Sequence, residues 1–316
     1  MKRNTTSLLL LLLPTFLVVT GCSDSNDNSG TEGSYERIEL YASGSGLTAV
    51  TRAAADITPF KATVFATTRQ GIYTDLSGDY EWTKEVEVGA DRSVTFSDPA
   101  PNYPVSGAWI YLSSLAPKAE DINEGAVSYT LDGTQDLLYA KEIKGNKWDN
   151  YRFAGNPVVS NDKPLAFEHL LTQLQFKAVK TITGGLPVTI TKITVKNVKT
   201  KVSVPVTDGK AVFSGDSDVD LSLNANNTVT NQTPVYLGNL LLPPLASGTY
   251  TITVETSAGT FANVDITLGN TSDVPDFGPG VSHEITLNIT DTYLGIATVA
   301  VASWTPDSGG NLDLIE

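Results

Sequence analysis

Cysteine and histidine are nearly missing from this chain: one cysteine, Cys22, and two histidines, His169 and His283, in 316 residues. A single thiol allows no internal disulfide, so the fold must rest on its buried core even where the compartment would permit disulfides. Two histidines and no second cysteine also exclude a His/Cys zinc cluster and a Cys-His nucleophile pair, and most redox and zinc chemistry with them. The expectation is no metal, no cofactor and two structural histidines. Gly-x-Ser-x-Gly, His-Glu-x-x-His and phosphate-cradling glycine loops are absent, since Gly44-Ser45-Gly46 lacks the following helix that a phosphate loop needs. Positive charge is short as well: 21 basic against 35 acidic residues give a net charge of −14, which disfavours nucleic acid and other phosphate-rich partners. Long apolar runs are absent beyond the first 22 residues, so no later stretch reads as a bilayer-spanning helix.

What is present begins at the N-terminus. Lys2 and Arg3 precede an apolar stretch from Leu8 to Val19 that ends at Val19-Thr20-Gly21-Cys22. That stretch is about 12 residues where a spanning helix needs roughly 20, so residues 1–21 read as a secretory signal peptide. Gly21 directly before Cys22 resembles a bacterial lipobox, in which the peptidase cuts before a cysteine already carrying diacylglycerol. The expectation is a lipid on Cys22. From Ser23 to Ser34 there is no apolar residue, a composition that reads as a tether.

Beyond the tether the apolar period is two. Tyr250, Ile252 and Val254 alternate with threonines, as do Ile285, Leu287 and Ile289 with Thr286, Asn288 and Thr290. Val202, Val204 and Val206 repeat the pattern, and Leu174, Phe176 and Ala178 oppose Gln173, Gln175 and Lys177. Each reads as a strand with one buried and one wet face. Turn formers such as Asp132-Gly133, Gly184-Gly185, Asp208-Gly209 and Ser247-Gly248 separate the runs closely enough for antiparallel sheets. The fold class is all-β, two tandem antiparallel β-sandwich domains at residues 53–172 and 173–316. Helical spacing occurs only over Pro164–Gln175, where Phe167, Leu170, Leu171 and Leu174 suggest a turn or two at the domain junction.

Candidate chemistry is sparse. Asp216, Asp218 and Asp220 have the spacing with which a calcium loop opens, but Leu221 stands where the turn needs glycine and Asn227 where a bidentate glutamate belongs, so they read as a solvated loop. A glycoside hydrolase needs only two facing carboxylates, and the sequence singles out no such pair. Trp109 and Trp304 read as packing residues, whereas Trp148, amid Gly145, Asn146, Lys147 and Asp149, reads as an exposed loop residue and the candidate ligand contact.

The chain resembles the fimbrillins of Gram-negative anaerobes, subunits of donor-strand-assembled pili. The likeness rests on Cys22, on Asp136-Leu137-Leu138-Tyr139-Ala140 with Phe167-Glu168-His169-Leu170-Leu171-Thr172-Gln173-Leu174, and on a final strand ending Val301-Ala302-Ser303-Trp304. It implies transthyretin-like sandwiches, no enzymatic activity, a surface fimbria, and partners that are other fimbrial subunits, the outer membrane through Cys22, and a host glycan or protein. It also implies proteolytic removal of residues 22–52 by an arginine-specific protease cutting between Arg52 and Ala53, with Arg37 and Arg69 as competing sites. Tyr35 to Tyr41 alternates as a strand, and its removal would expose a groove that a neighbour's strand can fill. By the resemblance the donor lies between Tyr293 and Glu316, where Asn311-Leu312-Asp313-Leu314-Ile315 either donates or folds back. Shaft, tip and anchor roles stay open, as do a stand-alone glycan- or protein-binding lipoprotein and a glycoside hydrolase.

Overall fold

The computed structural model describes residues 35–44, 49–51, 54–97, 99–120, 122–155, 163–181, 186–215, 219–246, 248–268, 276–290 and 293–304. Among them there is no α-helix, and a single 3-10 turn spans Asp149–Tyr151. Numbered along the chain, seven strands close on themselves in the order β1 (Leu40–Ser43), β11 (Leu165–His169), β10 (Leu138–Gly145), β7 (Ile110–Ala116), β4 (Phe60–Thr67), β5 (Trp82–Val88) and β6 (Ser93–Phe96). Their inward side chains, among them Leu40, Phe60, Val64, Val88, Leu112, Leu138 and Phe167, form one buried core. All-β is therefore the observed class, with one sheet of the N-terminal half closed into a barrel. The closure depends on two short pairings made by β1, which hydrophobic period alone does not encode.

In the C-terminal half two four-stranded sheets enclose a second core. One has the order β17 (Val235–Leu242), β12 (Thr172–Lys180), β20 (Ser282–Ile289), β21 (Leu294–Ala302); the other β16 (Val219–Val229), β13 (Val188–Val198), β18 (Tyr250–Thr256), β19 (Gly259–Ile266). Leu174, Phe176, Ile285 and Leu287 of the first meet Ile190, Ile193, Val195, Ile252 and Val254 of the second. The alternations read from sequence in β18 and β20 are the buried faces here, whereas β12 is buried on both faces over Thr172–Phe176, Gln173 and Gln175 included.

A third sheet, β15 (Val212–Ser214), β14 (Lys201–Pro205), β9 (Ala126–Thr130), β8 (Ile122–Asn123), and a hairpin, β2 (Ala49–Thr51) with β3 (Ala54–Ile57), complete the strands. Val202, Val204 and Val127 of the third sheet join Phe65, Leu115, Leu137, Leu171 and Leu241 in a third core. β4 is buried on both faces because Val64 points into the barrel core and Phe65 into this one.

The helical turn expected over Pro164–Gln175 is absent. β11 buries Leu165, Phe167 and His169 while Ala166 and Glu168 stay exposed, a period of two, and β12 begins at Thr172. Leu170 and Leu171 form the corner between the strands, so the helix-like spacing arises from two strands meeting, not from one helical face.

Candidate strand-exchange groove

β1 is short and deeply set. Ile38 just before it and Leu40 and Ala42 along it, each at most 2% exposed, alternate with less buried residues. Arg37 bridges Asn102, the Ile38 N–H donates to the Pro101 carbonyl at 2.9 Å and the Tyr103 N–H donates to the Glu36 carbonyl at 2.9 Å. Farther along, Leu40 and Tyr41 pair antiparallel with Val94 and Ser93 of β6, while Ala42 and Ser43 pair parallel with Leu165 and Ala166 of β11. Among the described residues β6 and β11 meet only through β1. Gly44 ends the strand at φ +111°, where a Cβ would lie 2.3 Å from the Phe167 carbonyl oxygen; only glycine lets the chain leave this close to β11. Lifting out β1 would open the barrel, unpair both flanking strands and expose the apolar side chains beneath.

The last strand has a different character. β21 is an edge strand held by β20 over pairs from Ser282–Ala302 to Ile289–Leu294. Its sequence, Leu-Gly-Ile-Ala-Thr-Val-Ala-Val-Ala, carries no charge and no proline, the devices that ordinarily blunt an exposed edge. Immediately after it the chain is fastened: the Ser303 carbonyl accepts a hydrogen bond from Gln175 Nε2 at 2.7 Å, and Trp304 stacks on His169 with ring centroids 3.6 Å apart. His169 Nδ1 in turn lies 2.6 Å from Asp136 Oδ2.

Over residues 34–304 the sequence matches the model of the fimbrillin-like family. The chain belongs to that family. No curated protein matches the sequence. Two solved structures share the fold of this fimbrillin-like chain. One is a candidate cell adhesion protein from Bacteroides ovatus, 17% identical with a TM-score of 0.60, the match covering 86% of this chain and 99% of that one. The other is a candidate cell adhesion protein from Bacteroides uniformis, 15% identical with a TM-score of 0.59, covering 85% and 99%.

The residues singled out from sequence are not gathered in one place in the fimbrillin-like fold. Cys22, Arg52 and Ala53 lie outside the described residues, as do Asp216, Asp218 and 305–316. Asp220, on β16, is bound to Lys196 at 2.5 Å, and that bond lowers its carboxyl below the ordinary value. Trp148 lies on a loop at one end of the barrel, 56% exposed. Trp109 is half-buried next to Tyr151 rather than in a strand. His283 is fully buried against Phe277, and burial pushes its imidazole below the ordinary value, the Asp276 backbone opposing in part. The uncharged run of β21 was the missed signal: nine residues without a charge in an acidic protein mark an edge that is not protected.

Proposed function

We propose that this protein is a structural or tip subunit of a cell-surface fimbria that supports adhesion, exported as a lipoprotein on Cys22, cleaved after Arg52 and polymerised by β-strand exchange. It is non-catalytic in this reading, and residues 53–172 and 173–316 are its two domains. The observation that carries it is the setting of β1. Ile38 and Leu40, buried at roughly 1.5–3 kcal/mol each, give a gross gain of about 3–6 kcal/mol that a neighbour's strand could recover in the same groove, less the cost of ordering it.

The positions of the basic residues support Arg52 over its competitors. A cut at Arg37 would leave β1 intact behind it. A cut at Arg69, which lies just past β4 and is bonded to Glu81 at 3.3 Å, would remove β4 and with it the centre of the barrel. Cleavage between β2 and β3 frees β1 and keeps β4. The uncharged edge of β21, the last described strand, supports a donor in the 293–316 region.

The test is the N-terminal sequence and intact mass of the protein sheared from cells, alongside an Arg52→Gln variant. Processing predicts a start at Ala53 and a heat-labile, detergent-stable polymer, both lost in the variant. A start at lipidated Cys22 in sheared material would sink the exchange mechanism and leave an anchor or a stand-alone binding lipoprotein.

A further inference from the structure

One end of the barrel gathers two lysines onto one pair of aromatic rings. The chain carries a net −14, and many of its lysines sit against carboxylates: Lys61 at 3.1 Å from Glu85, Lys177 at 2.7 Å from Glu284, Lys196 at 2.5 Å from Asp220. Lys144, near the end of β10, and Lys163, just before β11, have no carboxylate partner among the described residues. Both instead converge on Trp109, their ammonium groups 5.2 Å and 5.9 Å from its ring centroid, and Lys163 also lies 5.5 Å from the Tyr151 ring. Glu36 and Asp149 bind Arg152, at 2.7 Å and 3.1 Å, rather than either lysine. Two cations thus share one aromatic pair, and no carboxylate among the described residues bonds to either ammonium. Partial burial and the second ammonium both push Lys163 below the ordinary lysine value, the cost of holding unpaired like charges together.

Tyr151 is exposed, Trp109 half-buried, and both rings are held. Trp109 and Tyr151 meet edge to face at 5.2 Å, and Tyr151 is 48% exposed. The loop that carries Tyr151 and Trp148 is fastened from several sides. The Asn146 N–H donates to the Tyr151 carbonyl at 3.0 Å, the Tyr151 N–H to the Trp148 carbonyl at 2.8 Å, and the Phe153 N–H to the Tyr103 hydroxyl at 2.8 Å. Lys147 Nζ reaches across to the Val105 carbonyl, and the Trp148 indole lies so close to Gly107 that a Cβ there would sit 2.8 Å from Nε1. Exposed aromatic rings on a rigid loop have little ordering left to lose when a ligand arrives.

We infer that the barrel end bearing Trp109, Tyr151, Lys144 and Lys163 binds a saccharide that carries an anionic group. The apolar face of a sugar ring packs on the aromatic side chains, and its carboxylate or sulfate sits between the two ammonium groups and relieves their repulsion. Trp148, on the same loop, supplies a second platform. The site is independent of strand exchange, since none of these residues lies in β1 or β21.

The test is a titration of the protein purified from the cell surface, read by tryptophan fluorescence. The panel is 3′-sialyllactose, 3′-sulfolactose, hyaluronan and heparan tetrasaccharides, and the neutral parents lactose and carboxyl-reduced, desulfated tetrasaccharides. The expected result is that at least one acidic member binds about tenfold or more tighter than its neutral parent. Added salt should weaken that preference, and the Lys144→Gln/Lys163→Gln double variant should abolish it while Lys210→Gln leaves it intact. The carboxylate and sulfate members of the lactose pair tell the two anion sources apart. Binding of no acidic member, or equal binding of acidic and neutral sugars, overturns the assignment. So does a double variant that binds sugar as before but assembles poorly in sedimentation, which would make the patch a contact for the acidic surface of another subunit.

Discussion

His283 has the two features that make a residue acid-sensitive. It is fully buried on β20, and no carboxylate side chain among the described residues bonds to its ring, the Asp276 backbone alone opposing the effect of burial. Burial lowers its folded-state value beneath the ordinary 6.5, so the unfolded chain takes up the proton first as pH falls. The residue's contribution to stability is therefore fully present above about pH 6.5 and is lost as pH falls through the lowered value. His283→Leu, close in volume and with nothing to protonate, should change stability at pH 7.5 by less than about 1.5 kcal/mol. It should lose less stability than the parent between pH 7.5 and 5 in urea denaturation. Parallel pH profiles for the two proteins would show that acid acts elsewhere. His169 differs from His283 in kind, because Asp136 meets its Nδ1 at 2.6 Å and Trp304 covers its ring at 3.6 Å. The sequence reading treated the two histidines alike; only the fold separates an imidazole paired with a carboxylate from one buried against an aromatic ring.

Strands with one buried face were legible element by element. Tyr250, Ile252 and Val254, and Ile285, Leu287 and Ile289, are buried as their period requires. Where a strand is covered on both sides the period gave the wrong half of the answer. Gln173 and Gln175 read as wet, yet they are 1% and 5% exposed, because a polar network through Ser282 ties them to Ser303. Such a network joins residues far apart in sequence and leaves no local pattern. The candidate site was legible in outline, through the strand read over Tyr35–Tyr41, which is observed at Leu40–Ser43, and through the final strand ending before Trp304. Its closure between β6 and β11 was not, since two-residue pairings carry no signal of their own. The edge character of β21 leads to a prediction at this scale. Ala300 and Val301 are adjacent, point to opposite faces and are both exposed, Val301 at 49%. Lysine at either position should cost the isolated subunit under about 1 kcal/mol. If β21 is the donor, one of its faces must enter a neighbour's apolar groove, so Ala300→Lys or Val301→Lys should stop polymer growth while the monomer melts normally. Growth unaffected by both would exclude β21 and leave residues 305–316 as the donor.

At the scale of the whole molecule the question is what couples barrel to sandwich. The third core answers it in residues: Phe65 and Leu115 come from the barrel strands, Leu241 from β17, Val202 and Val204 from β14, and Leu171 from the corner between β11 and β12. Leu171 is fully buried, and its carbonyl accepts from the Gly280 N–H at 2.8 Å, so it touches the barrel exit and the sandwich entrance at once. If β1 is removed as proposed, such coupling would keep the opened barrel from unfolding apart from the sandwich. Leu171→Ala should cost about 2–5 kcal/mol through the lost transfer term and the cavity left behind. More tellingly, it should divide a single calorimetric unfolding transition into two, the barrel melting apart from the sandwich. Leu112→Ala, equally buried but inside the barrel core, serves as the control: it should lower the barrel's stability without loosening the junction. If Leu171→Ala lowers the melting temperature and still unfolds in one transition, the coupling resides in the polar network around Gln175 and Ser303 rather than in the apolar core, and Gln175→Leu becomes the variant that should split the trace.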